Sequence, residues 1–340
     1  MEKDKRPPVA AGAFVVRYNP CYSKAMEKDY TRAITSAKRV LNAWLPYKIQ
    51  YDRIPGLSVG IVHNGTLVYQ KGFGYADLEK KIPATANTSY RIASISKTFT
   101  AVAIMQLVEK GKIRLDDTVQ HYLPWFRAKS KDGDAANITI RQLLSHTAGV
   151  FRDGVTPHWV TDHFPDAAAL RRSVSRKTVV YENLTRFKYS NFGLAVLGQV
   201  IQKASGVSYN TYVTNNIIKR LGMERTAPDY TKKVDAWLAQ GYSRPIPGIK
   251  REAFRHAATN TYAPATGFLS NVHDLAKYLS ALSLKRNKPL KLLGRESKKV
   301  MMKEFWSERE DDRMYGLGFS VWKNEKRKII GHGGGFAGFI

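Results

Sequence analysis

The sequence is poor in cysteine, in long apolar runs and in acidic residues. One cysteine, Cys21, stands among 340 residues, which excludes a disulfide within the chain. No apolar run reaches the ~18 residues that a membrane-spanning helix needs, so we expect no membrane span. Residues 1–20 begin with charges, and their short apolar part is broken by Arg17 and Pro20, unlike a signal peptide. We therefore expect a cytoplasmic protein.

Acidic residues are outnumbered by basic ones. Lysine and arginine total 55 against 28 aspartate and glutamate, which gives a net charge of +27. Such an excess is compatible with nucleic acid, anionic lipid or acidic partners. The basic residues are spread along the chain, with one concentration at residues 285–303, and no zinc-ligand cluster, RNP-like motif or basic heptad accompanies them. We interpret the charge as a solvated surface and expect no specific nucleic-acid partner. Nucleic-acid binding is the alternative.

Hydrophobic periodicity divides the chain into strand-like ends and a helical middle. A helical pattern occupies residues 28–45, and from Gly56 two β-rich segments flank Asn64-Gly65, a strong hairpin signal. A strongly apolar helix follows Ser94, the middle has helical periods, and the last segments return to strand-like composition with glycines. This order predicts an α+β fold, with an antiparallel sheet from both chain ends, flanked by helices, and an inserted mainly helical region.

The predicted division places residues 1–27 in an N-terminal extension and residues 28–340 in one domain. Within that domain, an α/β part comprises residues 28–114 and 286–340, and a mainly helical part comprises residues 115–285. The sequence ends at Ile340 inside an apolar, strand-like run, from which we expect a C-terminally incomplete chain whose last strand is an open edge.

The stretch RIASISKTFT contains a candidate nucleophile and its base. Ser94 and Lys97 are three residues apart and share one face of a helix, whereas the adjacent Ser96 points away from Lys97. A second Ser-x-x-Lys begins at Ser320 in an alternating stretch, and on a strand residues three apart face opposite sides of the sheet. The spacing therefore favours Ser94. A helix cap at Ser94 and a surface charge at Lys97 are the alternatives.

Lys97 and a tyrosine are candidates for moving the proton of Ser94. A serine hydroxyl needs a base, and a lysine amine can act as one when burial depresses its pKa. The apolar run TFTAVAIM after Lys97 indicates such burial. Of two Tyr-x-Asn sequences, the one at Tyr181 lies in a mixed polar stretch, while Tyr189-Ser190-Asn191 directly precedes a helix, a better place to hold a side chain over a site. A packing role is the alternative for Tyr189.

The last candidate is the sequence HGGG at residues 332–335. Three glycines at a strand let a ligand approach the backbone closely. A backbone N–H there could pair with that of Ser94 to hold an oxyanion, a large contribution to acyl transfer. A simple turn or the oxyanion motif of an α/β-hydrolase is the alternative, although no Gly-x-Ser-x-Gly elbow supports the latter.

The order Ser94-x-x-Lys97, Tyr189-x-Asn191, His332-Gly333-Gly334 resembles the serine β-lactamase and penicillin-binding-protein family. The match is closest to its class C, esterase and D-aminopeptidase-like branch, which includes the mitochondrial β-lactamase-like protein. Other stretches look like family landmarks: PGLSVGIVHNG, ITIRQLLSHTAG, FKYSNFGLAVLG and ATGFLSNVHDLAKY. The resemblance implies a β-lactamase/transpeptidase-like fold, with the family's C-terminal strand and helix apparently missing here.

The resemblance also implies a role for each motif residue. Ser94 would be the nucleophile, with Lys97 and Tyr189 as the proton-transfer pair. Asn191 would orient the substrate, and the N–H groups of Ser94 and Gly335 would form the oxyanion hole. The reaction would be acylation of Ser94 followed by hydrolysis of the acyl-enzyme, without a metal or cofactor.

His332 stands where many β-lactamases and peptidases of the family have a lysine that engages the substrate carboxylate. Histidine supplies at most a partial positive charge near pH 7, which favours esters, small amides or peptides over penicillins. The resemblance therefore predicts a serine hydrolase for small ester, amide or peptide substrates, of unassigned oligomeric state. A non-catalytic or filament-forming scaffold on the same fold is the alternative.

Overall fold

The computed structural model describes residues 14–18, 24–129, 137–174, 178–284, 292–307, 313–324 and 327–340. Cys21 and the part of the basic segment at 285–291, both singled out in the sequence, lie outside these residues. Across the described ranges, every helix is too short or too polar to cross a membrane.

The strands of the described residues form three antiparallel groups. They are β1 (Phe14–Tyr18), β2 (Gly56–His63), β3 (Thr66–Asp77), β4 (Ile82–Pro83), β5 (Tyr90–Arg91), β6 (Leu269–Ser270), β7 (Trp306–Ser307), β8 (Arg313–Tyr315), β9 (Ser320–Asn324) and β10 (Arg327–His332). One sheet has the order β1-β10-β9-β8-β7, a second has the order β2-β3-β4, and β5 pairs with β6.

One sheet does combine both ends of the chain, but through a strand that the sequence did not indicate. β1 lies inside the predicted N-terminal extension and pairs with β10, from Phe14 opposite His332 to Tyr18 opposite Lys328. The predicted hairpin instead forms a sheet of its own, because β3 pairs with β2 along one edge and with β4 along the other. The open edge was expected in the run that ends at Ile340, and that run forms no strand; the last strand of the described residues, β10, lies between β1 and β9.

Seven of the ten α-helices of the described residues lie in the middle of the chain, between residues 115 and 285. The ten are α1 (Lys24–Tyr51), α2 (Ser96–Glu109), α3 (Val119–Tyr122), α4 (Ile140–Ser145), α5 (His158–Thr161), α6 (Ala167–Arg172), α7 (Asn191–Ser205), α8 (Tyr209–Val213), α9 (Val272–Leu282) and α10 (Arg295–Met301). α1 packs against β3, and α9 packs against β2 and β3. This mixture of helices and antiparallel sheets confirms the predicted α+β class.

The helix α2 forms the centre of the core. Every residue of α2 from Ser96 to Leu107 is buried, as expected for a helix that is apolar on all sides. α2 packs against α7 and against a π-helical turn at Ala263–Gly267. The ring of Phe99 lies between those of Phe268 and Tyr278, at centroid distances of 4.4 and 4.0 Å. This core holds the amino end of α2 firmly in place.

Several element boundaries are set by turn and capping residues. Asn64 and Gly65 turn the hairpin with φ angles of +50° and +77°, as the tight turn favoured by Asn-Gly requires. Thr139 caps α4 in a capping box with Gln142, and Gly206 ends α7 in the left-handed conformation. The strand expected at the chain end is wrong: residues 336–339 form a tight turn closed by two backbone hydrogen bonds.

Candidate active site

Ser94 lies just before α2, on the wall of an open cleft. It belongs to a 3₁₀ turn, Ala93–Ile95, and the α-helix begins two residues after it, at Ser96. Ala93 has a φ of +46°, a left-handed conformation that costs an alanine about 1–2 kcal/mol. The described residues that line the cleft with Ser94 are Arg152, Tyr189, Gly333, Gly334 and Gly335.

Lys97 lies directly below Ser94 in the core, as the spacing predicted. Its Nζ is within hydrogen-bonding distance of Ser94 Oγ, at 3.0 Å. The same nitrogen is 2.7 Å from Asn191 Oδ1 and 2.8 Å from the carbonyl oxygen of Ala265 in the π-helical turn. The Lys97 side chain is 0% exposed. Three oxygen partners therefore fix a lysine amine that has no access to bulk water.

Burial lowers the pKa of Lys97 well below its ordinary value of 10.5, because the charged form loses its hydration. The Asp153 carboxylate opposes this shift, and the Arg152 guanidinium adds to it. A neutral amine carries two N–H groups and one lone pair. The two N–H groups match the two carbonyl oxygens around Lys97, and the lone pair matches the Ser94 hydroxyl. The geometry thus suits a lysine that accepts the serine proton.

Tyr189 stands beside Ser94, in the loop that leads into α7. Burial raises the pKa of Tyr189 above the ordinary value of 10.0 and outweighs the neighbouring Ser94 hydroxyl, which tends to lower it. Lys97 Nζ lies 4.7 Å from the centre of the Tyr189 ring. Because this phenol keeps its proton near neutral pH, it is better suited to donate a proton than to accept one. Tyr181, the other sequence candidate, is not among the described residues that line the cleft.

Asn191 is the first residue of α7 and holds Lys97 from within the core. Its side-chain oxygen accepts from Lys97, and its Nδ2 donates to Asp153 Oδ1 at 2.6 Å. Ser190 caps α7 through a hydrogen bond from the Gly193 N–H at 2.8 Å, which sets the position of Asn191. The Asn191 side chain is 4% exposed, so it faces buried partners. Its contact with substrate remains a prediction from the resemblance.

His332 is buried beneath the cleft wall. Its Nδ1–H donates to the Gly333 carbonyl, and its Nε2 accepts from the Tyr315 hydroxyl at 2.9 Å. Burial and, to a smaller extent, the Lys97 charge lower the pKa of His332 to about 3. His332 is therefore neutral near pH 7 and is engaged at both ring nitrogens. The partial positive charge expected from the sequence does not reach the cleft.

The glycines that follow His332 bring the backbone close to Ser94. A Cβ at Gly334 would lie 2.2 Å from the Ile92 carbonyl oxygen, so a side chain there would collide with the turn that presents Ser94. A Cβ at Gly335 would meet nothing within 4 Å, which leaves this stretch of backbone open to the cleft. An oxyanion hole formed by Ser94 and Gly335 requires this proximity.

His146 belongs to a second layer of the site that the sequence did not assign. Its Nδ1 accepts the Ser190 N–H at 3.2 Å, and its carbonyl accepts the Lys188 N–H at 2.8 Å. Its ring centroid lies 4.4 Å from that of Tyr189. His146 thus holds the backbone on both sides of Tyr189. In the sequence, His146 is marked only by its place in the family-like stretch ITIRQLLSHTAG.

Two further residues contact the site, and neither belongs to a catalytic motif of the sequence. Asp153 contacts Asn191 from a loop with no motif, and the Ala265 contact uses a backbone carbonyl, which any residue possesses. Within the described ranges, no three His, Cys, Asp or Glu side chains are grouped so that they could hold a metal ion.

A serine hydroxyl beside a buried lysine amine and a tyrosine, between a central helix and the last strand of an antiparallel sheet, defines a site of the β-lactamase/transpeptidase type. Comparison of the sequence with models of known families identifies the same class of protein. The family model described as Beta-lactamase matches residues 42–340. The chain belongs to the Beta-lactamase family.

Two curated relatives show the range of similarity. Protein flp of Staphylococcus aureus (strain N315) is 33% identical over 212 residues, which are 62% of this chain and 42% of that protein. The serine beta-lactamase-like protein LACTB, mitochondrial, of Homo sapiens is 27% identical over 322 residues, covering 74% of this chain and 57% of that protein. The chain thus spans about half the length of these relatives.

Solved structures share the fold. The octameric penicillin-binding protein homologue from Pyrococcus abyssi has a TM-score of 0.72 and 30% identity, over 87% of this chain and 67% of that chain. EstCE1, described as a hydrolase with promiscuous acyltransferase activity, has a TM-score of 0.73 and 22% identity, over 89% of this chain and 94% of that chain. These similarities confirm the predicted β-lactamase/transpeptidase-like fold.

Proposed function

We propose that this protein is a serine hydrolase that forms an acyl-enzyme on Ser94 and cleaves ester or amide bonds of small substrates or peptides. The observation that supports this most directly is the 3.0 Å contact between Ser94 Oγ and the fully buried Lys97 amine. A helix cap or a surface charge, the alternatives for these residues, would not need a lysine buried among three oxygen partners. Burying an amine is costly, and buried groups with strongly shifted pKa values cluster at functional sites.

In the acylation step, the neutral Lys97 amine removes the Ser94 proton while Oγ forms a bond to the substrate carbonyl carbon. The tetrahedral intermediate carries its negative charge on the former carbonyl oxygen, which the N–H groups of Ser94 and Gly335 would receive. The bond to the leaving group then breaks. Tyr189 gives its proton to the departing oxygen or nitrogen and regains one from Lys97, which returns the lysine to its neutral state.

Deacylation uses the same groups with water in place of the serine. Lys97, directly or through Tyr189, removes a proton from the water, whose oxygen bonds to the acyl carbon. The bond between that carbon and Ser94 Oγ breaks, and the proton returns to the serine. The products are a carboxylic acid and the free enzyme. Neutral, buried His332 gives no cation beside this centre, which favours esters, small amides and peptides as substrates.

Labelling with an activity probe tests the proposal. A fluorophosphonate phosphonylates activated serines, and a penicillin acylates them. We expect an adduct on Ser94 in the wild type, located by peptide mass spectrometry, and none in Ser94→Ala. Ser320→Ala is the matched control, because Ser320 begins the second Ser-x-x-Lys sequence, and its adduct should equal that of the wild type. An absence of Ser94-dependent adducts with both probes would overturn the proposal in favour of a non-catalytic scaffold.

A further inference from the structure

Arg152 is a charged side chain at the cleft that the proposed reaction leaves without a direct role. The described residues around the cleft are Ser94, Arg152, Tyr189, Gly333, Gly334 and Gly335. Among these, Arg152 bears the formal charge, because the other five are a hydroxyl, a phenol and glycines. Its side chain is 64% exposed, so its guanidinium is available to a molecule that enters the cleft.

The backbone of Arg152 is tied to the catalytic framework. Its carbonyl accepts hydrogen bonds from the N–H groups of Asn191 and Phe192 at 2.8 and 3.0 Å, at the start of α7. The position of Arg152 relative to Lys97 is therefore set by the same residue, Asn191, that holds the lysine. A charged side chain on this anchored backbone stays near Ser94.

The guanidinium itself has two partners that orient it. Its Cζ lies 5.5 Å from the centre of the Tyr189 ring, a cation–π distance. Its Nε is 3.2 Å from Asp153 Oδ2, while Asp153 Oδ1 accepts from Asn191. The Asp153 carboxylate is thus shared between a buried amide and one edge of the guanidinium. An arginine has five N–H donors in a planar fork, so this pair leaves donors for a further anion.

The other basic groups nearby do not compete for an anion. Lys97, His146 and His332 are buried, and burial lowers the pKa of each. The hydrogen bonds of these three side chains go to protein oxygens or to a backbone N–H. Among the described residues that line the cleft, Arg152 is therefore the exposed cation that an entering anionic group meets.

We propose that Arg152 binds a carboxylate carried by the substrate and so determines a preference for anionic esters or amides over neutral ones. This inference rests on the proposed function, since it concerns the substrate of the same site. The carboxylate can belong to the acyl part or to the leaving part of the substrate, and the chemistry of recognition is the same for both. Arg152 would be a specificity-determining residue, with Ser94 and Lys97 performing the bond cleavage.

Matched ester pairs test the proposal on both parts of the substrate. The acyl arm compares mono-p-nitrophenyl glutarate with p-nitrophenyl pentanoate, in which a methyl group replaces the carboxylate. The leaving-group arm compares 3-carboxyphenyl butanoate with 3-carbamoylphenyl butanoate, in which a neutral amide replaces it. The readout is the ratio of kcat/KM for the anionic ester to that for the neutral ester. We expect this ratio to fall about fivefold in Arg152→Gln in at least one arm, the size of a partly exposed ion pair.

Two further variants separate local recognition from the field of a chain with a net charge of +27. Arg171→Gln removes the same charge from an exposed arginine that lies 5.5 Å over Trp125 and does not line the cleft in the described residues. We expect Arg171→Gln to leave the ratio within twofold of the wild type. Arg152→Lys keeps the charge without the planar fork and should retain part of the preference.

Two results would overturn the inference. Either the ratio is unchanged in Arg152→Gln in both arms, as when neutral and anionic esters slow by the same factor, or it falls equally in Arg171→Gln. Fluorophosphonate labelling of Ser94 is measured in every variant. Labelling without an Arg152-dependent ratio removes this inference alone, whereas an absence of wild-type labelling by both the fluorophosphonate and the penicillin probe removes the proposed function with it.

Discussion

Ser94 and Ser320 each begin a Ser-x-x-Lys sequence, and the two lysines have opposite surroundings. Lys97 is 0% exposed and lies 3.0 Å from the Ser94 hydroxyl. Lys323, on β9, has a side chain that is 52% exposed, and its Nζ pairs with Glu304 at 2.8 Å. The first pair lies across one helical turn at the edge of the core. In the second Ser-x-x-Lys sequence, the lysine instead forms an ion pair at the surface.

The difference shows where the chemistry of a short motif originates. On the turn before α2, three residues of spacing bring the two side chains together, and the core removes water from the amine. On a strand, the same spacing directs the side chains to opposite faces, and the lysine lies in solvent beside a carboxylate. The proposed reactivity of Ser94 therefore depends on the secondary structure and on desolvation, and the four-residue pattern alone does not supply it.

The largest expected difference between the two motifs is in acylation. Lys97→Met keeps the volume and apolar stem of the side chain but removes the base, so we expect fluorophosphonate labelling of Ser94 to slow by about 10³-fold, within the range for general-base catalysis. Lys323→Met should label at the wild-type rate within about twofold. Labelling rates from in-gel fluorescence check both. Equal rates in Lys97→Met and the wild type would show that Lys97 is not the base.

The two Tyr-x-Asn sequences offer a second comparison, between Tyr189 and Tyr181, with a smaller expected effect. Tyr189→Phe removes the hydroxyl of a residue that lines the cleft with Ser94, and we expect turnover of p-nitrophenyl esters to fall about 10²-fold. Tyr181→Phe removes the same group from a ring that packs under Arg186 and Lys188, and turnover should change less than twofold. If both variants lose activity equally, the Tyr189 hydroxyl has no special part in proton transfer.

The motif residues and several caps and turns were predictable because their positions depend on local spacing. Ser94, Lys97 and Tyr189 were found from helical periodicity and from the start of α7, and Thr139, Gly206 and the Asn64-Gly65 turn follow from capping and turn chemistry. Such features depend on neighbours within a few residues, which the sequence displays directly. The predicted α+β class follows from the same patterns.

The rest depends on contacts between distant segments. Asp153 and the Ala265 carbonyl reach Lys97 and Asn191 only after three parts of the chain have packed together, and no spacing rule predicts this. The same holds for β1, a five-residue strand whose partner β10 lies at the other end of the sequence. The burial that neutralises His332 is likewise a tertiary property, so its charge could not be read from its residue type.

The buried lysine should also appear in the pH dependence of stability. Burial lowers the pKa of Lys97 below the 10.5 expected for an unfolded chain, so between these two values the unfolded state binds one more proton than the folded state. The free energy of unfolding should therefore rise with pH by about 1.4 kcal/mol per pH unit in that window and level off above the unfolded value. Chemical denaturation at several pH values measures this slope.

Lys97→Met is the control that isolates this slope, because it lacks the titrating group. We expect the wild type to gain stability relative to Lys97→Met as the pH rises, while Lys323→Met follows the wild type. Parallel curves for the wild type and Lys97→Met would mean that the amine is protonated in the folded protein. The proposed base would then be wrong.

The smallest expected effect lies at the second motif, where Glu304 pairs with Lys323 and Lys328 at 2.8 and 2.9 Å. Burial tends to raise the pKa of Glu304, but the hydrogen bonds from the two lysines outweigh it and lower the pKa to about 2. A lowered carboxyl pKa contributes stability above the unfolded value of 4.5, and this contribution is lost as the pH falls toward about 2. Because Lys323 is half-exposed, we expect Glu304→Gln to cost only about 0.5–1 kcal/mol near neutral pH.

Chemical denaturation of Glu304→Gln near neutral pH and in acid checks this value, and the difference from the wild type should vanish at the acidic end. Ser94 labelling in Glu304→Gln should match the wild type, since the ion pair stabilises β9 and β10 without contacting the cleft residues. A labelling defect larger than the loss of stability would show that this sheet transmits changes to His332 and to the glycines that follow β10. The two Ser-x-x-Lys regions would then be coupled, and the contrast between a catalytic and a purely structural lysine would fail.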